Sequence, residues 1–379
     1  MSLALYKDTT HPKEIKAGEH GGNAGLFWGK FFDGYNHDFT DFADKEASKR
    51  DFLRKFTGSR GDGSAINAAA LRQIALTESL GGVWFVATNH DASPFVTGTG
   101  NSHPVENGFL WHHTLSAPYM QGSAVKGIMR SWLETQLGYG VNEDDNHSEL
   151  KRYFGSETKE SSDNQAGNLI FLDAIPTVPP RVTVEIMTPH MGDYYSDKGK
   201  TAPADWHSPT PIPLLAVESI SLLFCIAPRL GKIDAQELAQ LSIALQNALA
   251  NMGAGAKTQT GFGRLIVDEA QRKKLEDKLK EQQKKQAKAN ASVEQQLMLE
   301  ANEIIQASPG SMLMAGQTNA VKVDALLKKT EGWSEADCAA IWSNVVMVWI
   351  EKAYSDKAKR KEQYKKVTAK HTWLKAPQS

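Results

Sequence analysis

Residues 234–267 read DAQELAQLSIALQNALANMGAGAKTQTGFGRLIV and place a helix, a glycine-rich loop and a strand in direct succession. Asp234 and Glu237 have the spacing of a capping box, which predicts a helix start at this point. The apolar residues that follow share one helical face: Leu238, Leu241, Leu245, Leu249 and Met252. The loop from Gly253 to Arg264, called the glycine loop below, ends this helix, and Leu265 to Val267 is predicted to form a strand.

The glycine loop has the composition of an anion-binding site. Its glycines permit positive φ and close approach of a ligand to backbone N–H groups, while Lys257 and Arg264 add positive charge. A P-loop is excluded because Ala256 stands where a glycine must precede the Lys-Thr pair, and because a helix precedes the loop. A dinucleotide fingerprint is absent here and at Gly98-Thr-Gly100. A polynucleotide remains as ligand, beside the alternative that the glycines only form a tight turn.

Outward from this stretch, the chain alternates strand and helix patterns. Residues 82–88 are rich in β-branched and aromatic residues, 123–137 show helical periodicity, and 168–174, 181–187 and 217–226 show strand patterns. The resulting order, β-α-β-β-(β)-α-β, predicts an α+β fold of the ferredoxin-like (RRM-like) type with long inserted loops. In this fold the loops at the helix ends lie beside an open sheet face. The strands carry no aromatic RNP motif, so base stacking on the sheet is not expected.

The helix at 123–137 carries charges that oppose its own stability. Ser123 is the expected N-cap, and the buried stripe is expected to comprise Val125, Ile128, Met129, Trp132 and Leu137. Lys126 lies in the first turn, where the helix dipole disfavours a cation, and Arg130 follows at i+4, where like charges repel. This pair indicates either a second anion contact or a solvated flank beside the apolar stripe.

The rest of the chain divides by composition. Residues 1–79 are expected to form an N-terminal helical elaboration, and 80–269 the ferredoxin-like domain. The loop at 91–122 is long, but its aromatic residues Phe95, Phe109, Trp111 and Tyr119 argue against disorder. Residues 270–310 are expected to form a charged helix or linker, and 311–379 a C-terminal all-helical appendage.

Charge is distributed unevenly along the 379 residues. The net charge is −1, but residues 270–379 hold 20 Lys and Arg against 13 Asp and Glu. The preceding part is therefore acidic, so a nucleic-acid contact there must be made by a few placed cations and backbone groups.

The two cysteines, Cys225 and Cys338, exclude a disulfide framework or a cysteine zinc site by their number. The first residues show no signal-peptide pattern. The longest apolar run, Ala339 to Ile350, is too short to span a bilayer. A cytoplasmic protein without membrane contact is expected.

Catalytic motifs are sparse. His112 and His113 are adjacent and cannot share one strand face, and His90, His103 and His190 lack the spacing of a metal site. Neither G-x-S-x-G nor the His-Glu helix motif occurs. A single histidine such as His103 can still act as a general base on an RNA 2′-hydroxyl, so this alternative stays open.

Three segments, Phe95–Phe109, Pro118–Arg130 and Gly253–Arg264, resemble the RAMP superfamily of CRISPR-associated proteins. Within it they are similar to the sixth-subunit family of the type III-B Cmr effector complex. Shorter matches follow in order: 154–156, 167–174, 187–190, 194–195, 203–205 and 208–209. The resemblance covers roughly residues 80–269. Met120-Gln121 departs from it, because an apolar residue is more usual before Gly122-Ser123.

The resemblance implies a non-catalytic subunit that binds the 3′ part of the CRISPR guide RNA and caps the backbone at the head of the complex. It implies contact with the backbone RAMP subunit, the other head RAMP subunit, the small helical subunit and, through the assembled complex, target RNA, with no cofactor or metal. The RNA-binding positions are Lys126, Arg130, Gly253, Gly255, Lys257, Thr258, Gly261, Gly263 and Arg264. Two alternatives stay open: a RAMP ribonuclease acting through a histidine, and a scaffold that binds only proteins.

Overall fold

A computed structural model describes residues 22–36, 38, 40–89, 93–138, 145–156, 164–204, 206–229 and 232–374. Residues 1–21 of the expected N-terminal elaboration, and also His90 and Asp205, lie outside the described residues. The chain divides into two compact units, Met1–Glu276 and Asp277–Ser379. Helices and antiparallel sheets occur together, which confirms the mixed helix and sheet class.

Three helices and a short strand precede the main sheet: α1 (Ala24–Lys30), α2 (Lys45–Arg54), β1 (Gly58–Ser59) and α3 (Gly63–Ser79). The side chains of Asp44 and Asp62 accept backbone N–H bonds at the starts of α2 and α3. Aromatic residues of this region, including Trp28 and Phe52, belong to the same hydrophobic core as the main sheet. The residues before position 80 therefore complete the core of the first unit.

The remaining elements of the first unit are β2 (Val83–Asn89), α4 (Gly122–Gln136), α5 (Asp145–Phe154), β3 (Leu169–Phe171), β4 (Ile175–Pro176), β5 (Arg181–Met187), α6 (Gly192–Ser196), β6 (Ile212–Ser219), β7 (Ser221–Pro228), α7 (Ala235–Asn251) and β8 (Leu265–Val267). Within the described residues, a five-stranded antiparallel sheet has the order β3-β7-β2-β8, with β4 also paired to β7. The predicted capping by Asp234 is confirmed, since its carboxylate accepts from Glu237 N.

Both faces of this sheet are covered along its central strands. Phe224 of β7 shares a core with Val125 of α4 and Leu245 of α7. The next residue, Cys225, points to the opposite face, where its thiol meets Thr77 of α3 and burial raises the pKa of the thiol to about 11. Every residue of β7 is buried. The expectation of an open sheet face is therefore wrong, because α3 occupies that face.

The predicted strand at 217–226 is two strands, β6 and β7, which separate at Ile220. β6 pairs with β5, and β5 pairs with β1, in a three-stranded sheet of the described residues. The side chain of buried Asn89 holds the break, because its Oδ1 accepts from Ile220 N at 2.8 Å and its Nδ2 donates to Glu218 O at 2.8 Å. A short apolar run does not reveal where one strand ends and the next begins.

Helix α4 begins two residues earlier than the predicted N-cap, Ser123, implies. Its N-cap is Gln121, which makes no side-chain cap bond, so Ser123 is not the cap. The Asp173 carboxylate, from a segment after β3, accepts from Gly122 N at 2.7 Å instead. Leu137 is 52% exposed because it lies beyond the helix end, while Leu133, missing from the predicted stripe, is buried.

After β8 the chain continues through helices: α8 (Glu269–Asn290), α9 (Val293–Ala307), α10 (Thr318–Lys328), α11 (Glu335–Ile341), α12 (Met347–Ala353) and α13 (Lys357–Lys370), with a 3-10 turn at Gly310–Leu313 and a π-helical segment at Trp342–Val346. The described part of the second unit contains no strand. Its core includes Ile341, Val345 and Ile350. Across the described residues, no helix combines the length and apolarity needed to cross a membrane.

Replacing Asn89 with Ala is expected to lower the free energy of unfolding of the first unit by about 2–3 kcal/mol, because a buried backbone donor and acceptor lose their partners. Equilibrium urea unfolding, with hydrogen exchange of the β2 and β7 peptides as reporter, measures this change. The control is Asn251→Ala, whose exposed amide bonds only to Asn247 O of its own helix and is expected to cost about 0.5 kcal/mol or less. Equal losses of unfolding free energy from both substitutions would contradict the role of Asn89 in holding the break between β6 and β7.

Candidate nucleic-acid interface

The glycine loop turns the chain back from α7 into β8 through repeated left-handed backbone conformations. Gly253, Gly255, Gly261 and Gly263 have positive φ, and so does Lys257 at +62°. Side chains with a Cβ rarely adopt such values, which explains why glycine recurs at these four positions. A 3-10 turn, Thr258–Thr260, forms the tip.

The loop is held against residues 93–96, called the anchor segment below, which follow β2. Ala256 N donates to Val96 O at 2.7 Å, and Gly263 N donates to Pro94 O at 2.9 Å. The hydroxyl of Ser93 joins the two chains as well, because it donates to Gly261 O at 2.7 Å and accepts from Arg264 N at 2.9 Å. The long segment at 91–122 thus positions the loop, and its aromatic residues Phe95, Phe109, Trp111 and Tyr119 are buried.

Two glycines of the loop are required by close backbone contacts as well as by positive φ, Gly255 against the anchor segment and Gly263 within the loop itself. A Cβ at Gly255 would stand 2.1 Å from Val96 O, and one at Gly263 would stand 1.9 Å from Ala254 O. At Gly261 a Cβ would meet no atom within 4 Å. The glycines therefore serve packing within the chain at Gly255 and Gly263, while Gly261 is needed for its backbone conformation.

Few N–H groups of the loop remain available to a ligand. Those of Ala254, Ala256 and residues 260–264 donate within the chain. Among the described residues, the N–H groups of Gly255, Lys257, Thr258 and Gln259 have no recorded acceptor. Thr258 and Gln259 lie in the 3-10 turn at the loop tip, and the first N–H groups of a helical turn have no acceptor within the turn.

Lys257 and Arg264 supply the positive charge of the loop. The Lys257 side chain is exposed and that of Arg264 is half-buried. Within the part of the chain that the structure describes, neither residue takes part in an ion pair. Both charges are thus free to meet an anionic ligand.

A cleft of ≈ 580 Å³ separates the glycine loop from the outer face of α4. Its lining from the loop side includes Gly253, Gly255, Thr258 and Gln259. Its lining from α4 includes Ala124, Gly127, Ile128, Ser131 and Thr135. Except for Ile128 and Met252, the lining residues are small or polar, so an extended chain can approach the backbone of both walls. This space is called the α4 cleft below.

None of the four predicted cations lines this cleft, neither Lys257 and Arg264 of the glycine loop nor the two on α4. Lys126 Nζ donates to Phe154 O at 2.7 Å, at the end of α5, where a cation stabilises the helix C-terminus. Arg130 Nε forms an ion pair with Glu134 Oε1 at 2.7 Å along its own helix. The structure therefore supplies intramolecular partners for both cations, although the local dipole and like-charge conflicts remain.

The residues of α4 that do line the cleft were not predicted. Gly127, Ser131 and Thr135 recur at i, i+4 and i+8 and so lie on one helical face. The small size of these three side chains could have predicted the cleft from the sequence. Small and hydroxyl side chains on the helical face opposite an apolar stripe let another chain approach the helix closely.

His103 packs inside the N-terminal aromatic cluster. Its ring stacks on Trp28 at a centroid distance of 4.0 Å, Nδ1 accepts from Val105 N, and Nε2 lies 2.9 Å from Trp28 O, an arrangement in which Nε2–H donates. Burial holds the pKa of His103 below its ordinary value. Both ring nitrogens therefore have partners within the fold, and His103 is not among the residues that line the α4 cleft.

No set of three or more His, Cys, Asp or Glu side chains in the described ranges is grouped closely enough to hold a metal ion.

Comparison with known proteins relates this region to one superfamily. Residues 92–266 match the family model described as the RAMP superfamily. The chain is 26% identical to the CRISPR system Cmr subunit Cmr6 of Pyrococcus furiosus, covering 46% of this chain and 65% of that protein. It is 27% identical to the Cmr6 subunit of Saccharolobus solfataricus, covering 41% of this chain and 47% of that protein. The matches thus span less than two thirds of either relative and confirm the predicted resemblance.

Two solved structures are also similar. The cryo-EM structure of the Type III-B Cmr-beta bound to cognate target RNA has a TM-score of 0.42 at 18% identity, covering 58% of this chain and 71% of that chain. The crystal structure of Cmr6 from Pyrococcus furiosus has a TM-score of 0.29 at 23% identity, covering 49% of this chain and 98% of that chain.

Replacement of Gly255 by Ala is expected to lower the free energy of unfolding by about 3 kcal/mol, because a strained φ and a backbone clash with Val96 O act together. Gly261→Ala has the φ strain without the clash and is expected to cost about 1 kcal/mol. Gly100→Ala, in open space without positive φ, is the neutral control. Urea unfolding with hydrogen exchange of the loop peptides ranks the three, and a Gly261→Ala effect as large as that of Gly255→Ala would contradict the docking account.

Proposed function

Because residues 92–266 match the RAMP superfamily and the chain is similar to two Cmr6 proteins, we propose that it is a Cmr6-like RNA-binding subunit of a type III-B Cmr effector complex. In this role it contacts the 3′ part of the guide RNA and caps the backbone at the head of the complex. The sequence similarity over the RAMP region is the observation that carries the proposal.

We further infer that residues 80–269 form a ferredoxin-like RAMP domain. The inference is supported by the strand order. When β2, β3, β7 and β8 are numbered first to fourth along the chain, they lie side by side in the order fourth, first, third, second, that is β8-β2-β7-β3. The helices α4 and α7 connect them in the β-α-β-β-α-β sequence of that fold. The β5-β6 pair and the residues before β2 are then additions to it, and the helices at 270–310 and 311–379 form an appendage whose role is a separate question.

The RNA backbone is proposed to run through the α4 cleft. Small side chains on α4 and glycines on the loop admit a phosphodiester chain close to the backbone, and Lys257 and Arg264 stand at the loop with no ion-pair partner among the described residues. Phosphate contacts of this kind carry affinity without reading sequence, which suits a subunit that must accept many guide sequences. Thr258 adds a hydroxyl on the cleft wall.

The α4 cations enter the proposal with a different role from the loop cations. Lys126 is bonded to Phe154 O and Arg130 to Glu134. A phosphate at either residue must therefore compete with an existing partner. We accordingly assign most of the charge-dependent affinity to Lys257 and Arg264.

The partners proposed on this basis are the CRISPR guide RNA, target RNA through the assembled complex, the backbone RAMP subunit, the other head RAMP subunit and the small helical subunit. The complex is placed in the cytoplasm, where its RNA ligands are found, with no membrane contact. The subunit holds RNA and leaves cleavage to another subunit. The engagement of both His103 nitrogens supports this division, because a general base needs a free acceptor beside the attacked hydroxyl.

Substitution of Lys257 by Asn or Arg264 by Ala is expected to weaken guide-RNA binding by the reconstituted complex equally for guides of different sequence. Each loses one phosphate contact, so the slope of log K against log salt falls by about 0.7 to 0.9. Asn is chosen at position 257 because it tolerates the left-handed φ found there. Fluorescence anisotropy across a KCl series measures both the affinity and the slope.

The control is Lys232→Ala, an exposed lysine that precedes α7 and lies outside the glycine loop. It removes the same charge and is expected to leave the slope unchanged. If the Lys257 and Arg264 variants keep the parent salt slope, neither residue belongs to the interface. If all three variants lose the same amount of RNA affinity, the effect comes from net charge and not from contacts at the loop.

A further inference from the structure

The last helix of the second unit, α13, is strongly basic. Its sequence, KAKRKEQYKKVTAK, contains seven Lys or Arg and a single acid, Glu362. Glu362 already forms an ion pair, since Lys366 Nζ lies 2.7 Å from Glu362 Oε1. The carboxylate of Asp356, just before the helix, caps it by accepting from Lys359 N. Charge on α13 is therefore largely unbalanced by its own sequence.

Three of the seven cations have partners within the fold. Besides Lys366, Arg360 Nε donates to Tyr354 O at 2.5 Å, and Lys370 Nζ pairs with Asp324 at 2.6 Å. Lys357, Lys359, Lys361 and Lys365 are exposed and have no ion pair among the described residues. Lys357, Lys361 and Lys365 recur at i, i+4 and i+8, so they lie on one side of the helix over about 12 Å. These three residues are called the basic face below.

The basic face lowers the stability of the helix that carries it. Like charges at i and i+4 repel, which applies to Lys357 with Lys361 and to Lys361 with Lys365. Lys357 also lies in the first turn, where the helix dipole disfavours a cation. Helix α8 holds four acids for its eight Lys and Arg, and some are paired, as in Lys285 with Glu281 and Arg272 with Glu276. Helix α13 holds one acid for seven Lys and Arg.

The chemistry of the basic face distinguishes between classes of partner. Protein interfaces are depleted of lysine and contain apolar or aromatic anchors, and none stands among these three positions. Insertion into a membrane surface requires a free apolar side, but Val367 and Tyr364 of α13 pack into the core of the second unit. A row of lysines without ion pairs among the described residues fits a polyanion with regularly spaced charge, namely a nucleic-acid backbone.

We propose that Lys357, Lys361 and Lys365 form a second RNA-binding surface, separate from the α4 cleft, that contacts phosphates without reading bases. It binds a single strand through charge alone, so its contribution depends steeply on salt. The surface does not depend on the guide-RNA role of the first unit.

The test compares the full chain with a triple variant, Lys357→Gln, Lys361→Gln and Lys365→Gln, using a fluorescein-labelled oligouridylate and anisotropy in about 50–200 mM KCl. Three lost contacts are expected to lower the salt slope by about two for a single strand. The melting temperature of the variant is expected to equal or exceed that of the parent, because glutamine is a good helix former and the like-charge repulsion is gone. If the variant binds RNA more weakly but melts at the same or a higher temperature, the lost affinity comes from lost contacts and not from unfolding.

The matched control removes the same charge from α8 through Lys273→Gln, Lys280→Gln and Lys284→Gln, all exposed and without ion pairs among the described residues. Its slope is expected to change by less than one. The same comparison in a Lys257→Asn, Arg264→Ala background is expected to give the same drop, which keeps this surface distinguishable from the α4 cleft.

The proposal is overturned if the triple variant keeps the parent affinity and slope, or if the α8 control loses as much. It is also overturned if the triple variant binds RNA normally but fails to associate with the other subunits of the complex, since the basic face would then dock a protein.

Discussion

The docking of the glycine loop onto the anchor segment is the contact on which the proposed interface depends. It is a contact between two backbones, with Val96 O and Pro94 O accepting from the loop and Ser93 bonded on both sides. A Cβ at Gly255 would fall 2.1 Å from Val96 O, so glycine is required for the two segments to meet. The docked loop forms one wall of the α4 cleft, and α4, held by Val125 and Met129 in the core, forms the other.

This arrangement changes how an anion would be held. Most N–H groups of the glycine loop donate to acceptors within the chain and stabilise the loop itself, so they do not face a ligand. What remains is a groove lined mostly by small or polar residues, a few donors at the loop tip, and two loop cations outside the groove lining, Lys257 and Arg264. In a first unit that is acidic overall, such local contacts let RNA bind in one place without a broad basic surface.

Local signals in the sequence were sufficient for part of this picture. The cap at Asp234, the leucine stripe of α7, the turn into β8 and the positive φ of the glycines all follow from residues close together in the chain. The covering of the sheet by α3, the strand break at Ile220 and the bond from Lys126 to Phe154 O depend on residues far apart in sequence. Periodicity predicts which face of an element is apolar but does not predict which distant element packs against it.

The central claim is that guide RNA lies in the α4 cleft, and crosslinking tests it most directly. The tagged chain is purified from its host cells with bound RNA, irradiated, digested and analysed by mass spectrometry, while the RNA is sequenced. The account predicts CRISPR guide RNAs with crosslinks on peptides of the glycine loop and of α4 between residues 124 and 135. Guide RNA recovered in the complex with crosslinks only elsewhere on this chain, or a chain assembled with its partner subunits but free of RNA contact, would contradict it.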